Sequence, residues 1–258
     1  MTVGEKVLTL RERLKDYPLR SDCRSFAALP LYELHLDFFP AHIGLAAPER
    51  QSVSTILLGS DWGNEKSFLE WLERKKHKKN SSVTGAIKMI NEAGLALDDC
   101  FLSNAWPIMR GADAKEQNHH PLRDDASFTN RYRDYLRETL SELNIKLVIS
   151  LGNPCAWFLG PFFGEDWGLG ALRSPSDVKI KHLDVEPLRE RGGIVFVNAT
   201  HPSHLNNRDK RSLENYGNEI ELLIHARKLA GIPDAPRWND PTTQRGGSAD
   251  DETCVTQM

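Results

Sequence analysis

The sequence lacks any long hydrophobic run. None of its apolar stretches reaches the roughly 18–20 residues that a membrane-spanning helix requires. Residues 1–17 are charged and helically periodic, and they contain no apolar core of the kind found in signal peptides. Hydrophobic residues make up 40% of the chain and charged residues 27%, as in an ordinary globular protein. We therefore expect a cytoplasmic protein with no membrane partner.

Cysteine is scarce, and its spacing excludes two kinds of site. The chain has four cysteines, which are Cys23, Cys100, Cys155 and Cys254. They form no Cys-x-x-Cys pair, so the sequence predicts neither a zinc site nor a disulfide framework, and buried free thiols are expected. The adjacent His119 and His120 lack accompanying carboxylates in a ligand pattern. No metal and no other cofactor is predicted.

An excess of positive charge is also missing. The net charge is −3, which argues against bulk attraction to a polyanion. Residues 231–258 hold five acidic and two basic residues, so residues 1–230 balance at 31 of each sign. The densest basic run is RKKHKK at residues 74–79, which fits either a solvated loop or a local phosphate-binding patch.

What the sequence does contain is an alternation of short apolar runs with helical patterns. Four runs are apolar on both faces, as the central strands of a parallel sheet are: residues 55–60, 101–106, 147–152 and 194–200. Helical periodicity predicts helices at residues 5–18, 66–75, 83–93, 126–143, 154–163 and 212–230. This alternation predicts an α/β fold with three α/β/α layers around a central, mostly parallel four-stranded sheet.

The domain organisation follows from the same pattern. We expect one domain over residues 1–230, with residues 1–50 as a partly helical entry segment packed on it. Residues 178–185 are compatible with an extra edge strand or a hairpin. From Gly231 onward the sequence loses its periodicity and is rich in Pro, Gly and Asp, which predicts a disordered tail over residues 231–258.

Polar residues follow the carboxyl ends of the predicted strands, where open α/β sheets bind their ligands. They include Asp61 after the first strand, Asn104 at the end of the second and His201 after the fourth. Each residue taken singly has a simpler explanation. Asp61 would cap a helix, Asn104 would hydrogen-bond the backbone of a loop, and His201 would be a partly buried, hydrogen-bonded histidine. Their joint placement at one end of the sheet favours a functional site.

The segments at these strand ends resemble motifs of the uracil-DNA glycosylase superfamily. LLGSDWG (57–63) resembles the first motif, and FLSNAW (101–106) resembles the strand that ends in a base-reading Asn. THPSHLNN (200–207) resembles the His-Pro-Ser motif with its DNA-inserting loop, and VISLGNPCAW (148–157) resembles the intervening strand and helix. The resemblance spans residues 53–225, which is most of the chain.

The resemblance implies a role for each matched residue. Asp61 would orient water and stabilise positive charge on the sugar, and His201 would stabilise negative charge on the departing base. Asn104 would read the edge of the base, and Leu205 would fill the gap left by the flipped nucleotide. The other implied base-pocket residues are Gly59, Ser60, Trp62 and Gly63. The implied DNA-backbone contacts are Ser203, Arg208, Lys210 and Arg211.

The implied activity is that of a monofunctional DNA glycosylase, which hydrolyses the N-glycosidic bond of a flipped pyrimidine and leaves an abasic site. Gly63 stands where the most uracil-specific members carry a tyrosine. The substrate is therefore either uracil or a 5-modified pyrimidine, including modified cytosine of viral DNA, and both DNA repair and antiviral defence remain open. We expect a monomer that acts on double- or single-stranded DNA.

Two alternatives remain beside this interpretation. The first is a non-catalytic or covalently trapping DNA-binding protein on the same scaffold, in which His204 would form the adduct. The second is a flavodoxin-like nucleotide-binding module, which is disfavoured because the first strand lacks a G-x-G-x-x-G loop. The aromatic side chain that would stack on the base is also open, with Trp62, Phe68 and Trp106 as candidates.

Overall fold

A computed structural model describes residues 1–17, 19, 23–25, 50–60, 81–110, 125–162, 188–199 and 210–236. Its helices are α1 (Val3–Leu14), α2 (Ser81–Glu92), α3 (Ala126–Leu143), α4 (Asn153–Leu159) and α5 (Lys210–Leu229). Its strands are β1 (Cys23–Ser25), β2 (Thr55–Gly59), β3 (Cys100–Asn104), β4 (Ile108–Arg110), β5 (Leu147–Leu151), β6 (Leu188–Arg191) and β7 (Ile194–Ala199). Among these described helices, none has the length and apolar character needed to cross a membrane.

The main sheet has the strand order β3-β2-β5-β7-β6. The first four of these strands are parallel and correspond to the four predicted runs, so the predicted sheet is confirmed. The fifth strand, β6, pairs antiparallel with β7 across the two-residue turn Gly192–Gly193. Both glycines have positive φ (59° and 77°), as the central residues of a type I′ hairpin turn require. The suggested edge strand at 178–185 lies outside the described residues.

Helices cover both faces of this sheet and give the predicted three layers. On one face, the first core joins α1, α3 and α4 to alternate strand residues such as Ile56 and Leu58. On the other face, the second core joins α2 and α5 to the intervening residues, such as Leu57. Because both faces are covered, the central strands are apolar throughout, which is why they were visible in the sequence.

The helix boundaries agree well with the periodicity, and local caps explain why. Helix α3 covers the predicted residues 126–143: the Asp125 carboxylate accepts a hydrogen bond from the Phe128 backbone N–H (3.0 Å), and Asn144 ends the helix at φ 58°. Helix α1 begins earlier than predicted, because the Thr2 hydroxyl and the Glu5 carboxylate form a reciprocal capping box, and it ends at Leu14 instead of the predicted residue 18. The helix predicted at 66–75 lies outside the described residues.

A second, two-stranded sheet was not predicted. Strand β1, which lies within the entry segment, pairs antiparallel with β4. Each strand has only three residues, which is too short to show an alternating pattern. The Ile108 N–H donates to the Trp106 carbonyl oxygen at 2.7 Å, so the chain turns sharply at Pro107 just after β3.

The C-terminal boundary of the domain differs from the prediction. Residues 231–236 are not a disordered tail, because Ile232 is buried in the second core and the Ala235 N–H donates to the Gly94 carbonyl oxygen at 2.8 Å. The Asp234 carboxylate also lies 2.9 Å from a terminal guanidinium nitrogen of the buried Arg227. Composition cannot reveal such docking, because it rests on a few long-range contacts. Residues 237–258 lie outside the described residues.

Two helix-terminating glycines provide a matched test of this docking. Gly94 (φ 69°) and Gly231 (φ 65°) both occupy left-handed positions after a helix, but a Cβ on Gly94 would collide with the Asp234 carboxylate, whereas a Cβ on Gly231 would meet nothing. We expect Gly231→Ala to lower the free energy of unfolding by about 1 kcal/mol. Gly94→Ala should lower the free energy of unfolding by roughly 1 kcal/mol more than Gly231→Ala does. The new Cβ fits only if the Asp234 carboxylate moves away, and that movement breaks its ion pair with Arg227.

Urea denaturation of the two variants measures this difference. Equal losses of stability would show that the Asp234 contact contributes nothing. In an Asp234→Ala background the two substitutions should become equivalent, because the collision at Gly94 is then removed.

Candidate active site

The carboxyl ends of the four parallel strands meet at one end of the sheet, here called the carboxyl rim. Gly59 of β2 pairs in register with Asn104 of β3, and Leu151 of β5 pairs with Ala199 of β7. These four residues form a row across the sheet. Leu151 and Ala199 belong to the second core, and the alternation along β2 and β3 puts Gly59 and Asn104 on that same face.

Asn104 is positioned by the absence of a side chain at Gly59. A Cβ at position 59 would collide with Oδ1 of Asn104, so the carboxamide lies directly over the glycine Cα. Asn104 is 8% exposed and is engaged in at least one polar interaction. The row therefore contains one nearly buried amide group at a fixed place on the rim.

Backbone hydrogen bonds extend the pairing of β2 and β3 beyond the strands themselves. The Ala105 N–H donates to the Gly59 carbonyl oxygen at 2.7 Å, and the Trp106 N–H donates to the Ser60 carbonyl oxygen at 2.9 Å. The exits of the two strands are thus tied together for two further residues. Asn104 consequently has a fixed relation to Ser60, the residue that precedes Asp61.

The exits of β5 and β7 are tied in a similar way. The Gly152 N–H donates to the Ala199 carbonyl oxygen at 2.7 Å, and Gly152 has a φ of 86°, which favours glycine at this first step into α4. On the first-core face, the buried Ser150 hydroxyl is 3.0 Å from Oδ1 of the buried Asn198. This pair was missed in the sequence, although a polar residue within each apolar run was a usable signal.

Trp106 is a core residue and is not available to stack on a base. Its side chain is 0% exposed, and its ring stacks on Trp157 with centroids 6.3 Å apart. The edge of Phe158 approaches it at 4.9 Å, and its Nε1–H donates to the Thr129 hydroxyl at 3.3 Å. The candidate role of Trp106 in base stacking is therefore wrong, and Trp62 and Phe68 lie outside the described residues.

A buried arginine supports this aromatic layer from α3. The Arg133 guanidinium lies 5.1 Å from the centroid of the Trp157 ring, and its Nε–H donates to the Phe158 carbonyl oxygen at 2.7 Å. Burial lowers the pKa of Arg133 to about 10, which still leaves it charged at neutral pH. The layer beneath the exit of β3 is thus held by stacking, hydrogen bonding and a cation–π contact.

Most of the predicted catalytic and DNA-contacting side chains are not placed by the structure. Asp61, Trp62, Gly63, His201, Ser203, His204, Leu205 and Arg208 lie outside the described residues. Lys210 and Arg211 form the start of α5, with their side chains outside the description. Of the predicted set, the structure brings together Gly59, Ser60 and Asn104. Along the chain, Asp61 follows Gly59 by two residues and His201 follows Ala199 by two.

Helix α5 packs on β7, and its sheet-facing residues Leu222, Leu223 and Ala226 are buried in the second core. Ile194 at the start of β7 and Ala230 just after α5 line one depression.

The described residues contain no constellation suited to metal binding or thiol chemistry. No group of three or more His, Cys, Asp or Glu side chains gathers among them. Cys23, Cys100 and Cys155 are buried free thiols, and burial raises the pKa of the Cys100 thiol well above its usual value. These described cysteines are therefore poor nucleophiles.

Comparison with known proteins identifies the family. Residues 59–221, well over half of the chain, match the family described as the uracil DNA glycosylase superfamily. A comparison with curated protein sequences returned no match. The matched region begins at Gly59, includes Asn104 and every other predicted site residue, and ends within α5. The mostly parallel sheet, its flanking helices and this match show that the protein belongs to the uracil DNA glycosylase superfamily.

Proposed function

We propose that the protein is a monofunctional DNA glycosylase that releases a free pyrimidine base and leaves an abasic site. The observation that carries the proposal is the Asn104 carboxamide held over Gly59 at the carboxyl rim, inside the region that matches the superfamily. An amide presents both a hydrogen-bond donor and an acceptor, which suits it to the edge of a nucleobase. Its near-complete burial means that a base must leave the DNA stack to reach it.

The proposed chemistry places opposite charges at the exits of β2 and β7. Cleavage of an N-glycosidic bond builds positive charge on the sugar and negative charge on the base. Asp61 would stabilise the sugar and orient water, and His201 would donate to the departing base. Two residues of chain span at most about 7 Å, so both positions stay close to the row of Gly59, Asn104, Leu151 and Ala199.

The substrate is proposed from the base pocket. Asn104 can pair with a carbonyl or an amino group at C4 of the pyrimidine, according to which way its amide faces. Gly63 would leave room for a substituent at C5. We therefore propose uracil or a 5-modified pyrimidine as the target, with modified cytosine of viral DNA included.

We propose that a few residues contact the DNA, rather than a broadly basic surface, in keeping with the net charge of −3. Helix α5 begins with Lys210 and Arg211. Together with Ser203 and Arg208 they would contact backbone phosphates beside the flipped nucleotide. Leu205 would fill the gap in the duplex, because an apolar side chain replaces part of the lost stacking.

Mass spectrometry of released bases tests the activity and the substrate together. DNA containing uracil, 5-hydroxymethylated pyrimidines or glucosylated cytosine would be incubated with the wild-type protein and with Asp61→Asn and His201→Ala. We expect one class of base to be released, and each variant to be at least ~100-fold slower in single turnover with DNA affinity nearly unchanged. Full activity in both variants would contradict the assigned roles, and heat-stable protein–DNA adducts without free base would support the trapping alternative.

Gly59→Ala tests the base-reading amide. The added methyl group collides with Oδ1 of Asn104, so we expect base release to fall by at least ~10-fold through displacement of the amide. Asn104→Ala removes the group that is displaced. Gly59→Ala should therefore cause no further loss in an Asn104→Ala background, and additive losses in rate would argue against this mechanism.

Leu205→Ala tests the proposed wedge. Loss of the apolar side chain should slow base release from duplex DNA several-fold more than release from single-stranded DNA, which has no stack to open. Leu229→Ala is the matched control, because Leu229 is 52% exposed at the far end of α5. Equal effects of Leu205→Ala on both substrates would exclude the wedge.

A further inference from the structure

A depression of about 770 Å³ lies at the amino ends of two central strands. It is lined by Lys146, which immediately precedes β5, by Ile194 at the start of β7, and by the Gly192–Gly193 turn. The end of α3 and the residues just after α4 and α5 complete its walls. Because β5 and β7 are parallel and both end at the carboxyl rim, the depression lies at the other end of these strands from the candidate active site.

The floor of the depression is apolar. Four buried residues of the first core line it, and the half-buried Ile194 packs against them; the four are Leu140, Ile145, Phe162 and Phe196. The rings of Phe162 and Phe196 contact each other with their centroids 6.3 Å apart. An apolar side chain of a ligand would be removed from water against this floor, which favours binding.

The charged residues of the depression are both basic. Arg137 and Lys146 line it and are exposed, and no Asp or Glu occurs among its lining residues, which all belong to the described part of the chain. The Arg137 guanidinium lies 4.7 Å from the centroid of the Phe162 ring, and it also donates to the Asp134 carboxylate on the same helix. Two cations thus stand beside an apolar floor, in a chain whose net charge is −3.

Three glycines leave the backbone uncovered at the edge of the depression. Gly192, Gly193 and Gly231 line it, and a Cβ on any of them would meet no atom within 4 Å. The peptide groups at this edge are therefore not screened by side chains of their own. Another stretch of backbone can approach them closely, which a peptide ligand requires.

We propose that this depression binds an acidic segment of a partner protein, with carboxylates of the segment at Arg137 and Lys146 and an apolar side chain on the floor beside Ile194. The Arg137 guanidinium can hold a carboxylate through two parallel hydrogen bonds, and Lys146 attracts one as a point charge. An acidic segment that also carries an apolar residue complements both features of the site, whereas the phosphates of duplex DNA complement only its charge.

This inference goes beyond the proposed glycosylase function and does not rest on it. The depression lies at the amino ends of β5 and β7, and the proposed base site lies at their carboxyl ends. A segment bound in the depression therefore does not occupy the carboxyl rim.

Fluorescence anisotropy with a labelled peptide tests the proposal on the full chain. The probe is Asp-Asp-Leu-Asp-Asp-Phe with fluorescein at its amino end and an amidated carboxyl end. We expect Arg137→Glu and Lys146→Glu each to raise the Kd of the probe by at least ~5-fold, because attraction is replaced by repulsion. Arg131→Glu is the matched control: it makes the same change of charge at an exposed position of α3 that does not line the depression, and it should change the Kd by less than twofold.

Two altered probes separate the two halves of the recognition. Replacing the Asp residues with Asn, or the Leu and Phe residues with Ala, should each weaken binding to the wild-type protein by at least ~5-fold. Loss through the first change alone would overturn the role of the apolar floor.

The remaining outcomes also decide the proposal. A wild-type protein that does not bind the probe would overturn it, as would an equal loss in Arg131→Glu, which would indicate general electrostatic attraction. If Arg137→Glu and Lys146→Glu weaken binding of a duplex oligonucleotide but not of the probe, the depression is a DNA contact and the proposal is wrong. Thermal unfolding checks that each variant is folded, and Arg137→Gln and Lys146→Gln replace any charge reversal that prevents folding, with a smaller loss in the same direction expected.

Discussion

The contact between Gly59 and Asn104 is the constraint on which the rest of the site depends. Parallel pairing puts the two residues side by side, and the missing side chain of Gly59 leaves the space that the carboxamide occupies. Hydrogen bonds from Ala105 and Trp106 to the β2 exit then prevent the two strands from separating above this point. The Asn104 carboxamide, which we propose reads the base by hydrogen bonding, is thereby fixed before a base arrives, which is the condition for selective binding.

The two faces of the sheet contribute different things to this arrangement. The face covered by α1, α3 and α4 supplies rigidity, through the Trp106–Trp157 stack, the Arg133 guanidinium and the Ser150–Asn198 pair. The face covered by α2 and α5 carries the nearly buried Asn104 carboxamide at the rim.

The two ends of the sheet are divided in a comparable way. At the carboxyl rim lie the nearly buried Asn104 carboxamide and the backbone hydrogen bonds that tie the exits of β2 and β3 together. At the opposite end lie the β6–β7 turn, the left-handed helix terminus at Gly94 and the docked segment 231–236. The Asp234–Arg227 ion pair and the buried Ile232 close the domain there, far from the row at the rim.

The sequence by itself determined the parts of the molecule that depend on local order. The four central strands are apolar on both faces because helices cover both, and the bounds of α3 follow from Asp125 and Asn144 at its ends. The polar residues at the strand ends, and the motifs around them, also led to the family that the comparison then showed. The tertiary structure alone decided the strand order, the contact of Asn104 with Gly59, the burial of Trp106 and the docking of residues 231–236. These features join residues far apart in the chain, and hydrophobic periodicity records which face of an element is buried but not which partner buries it.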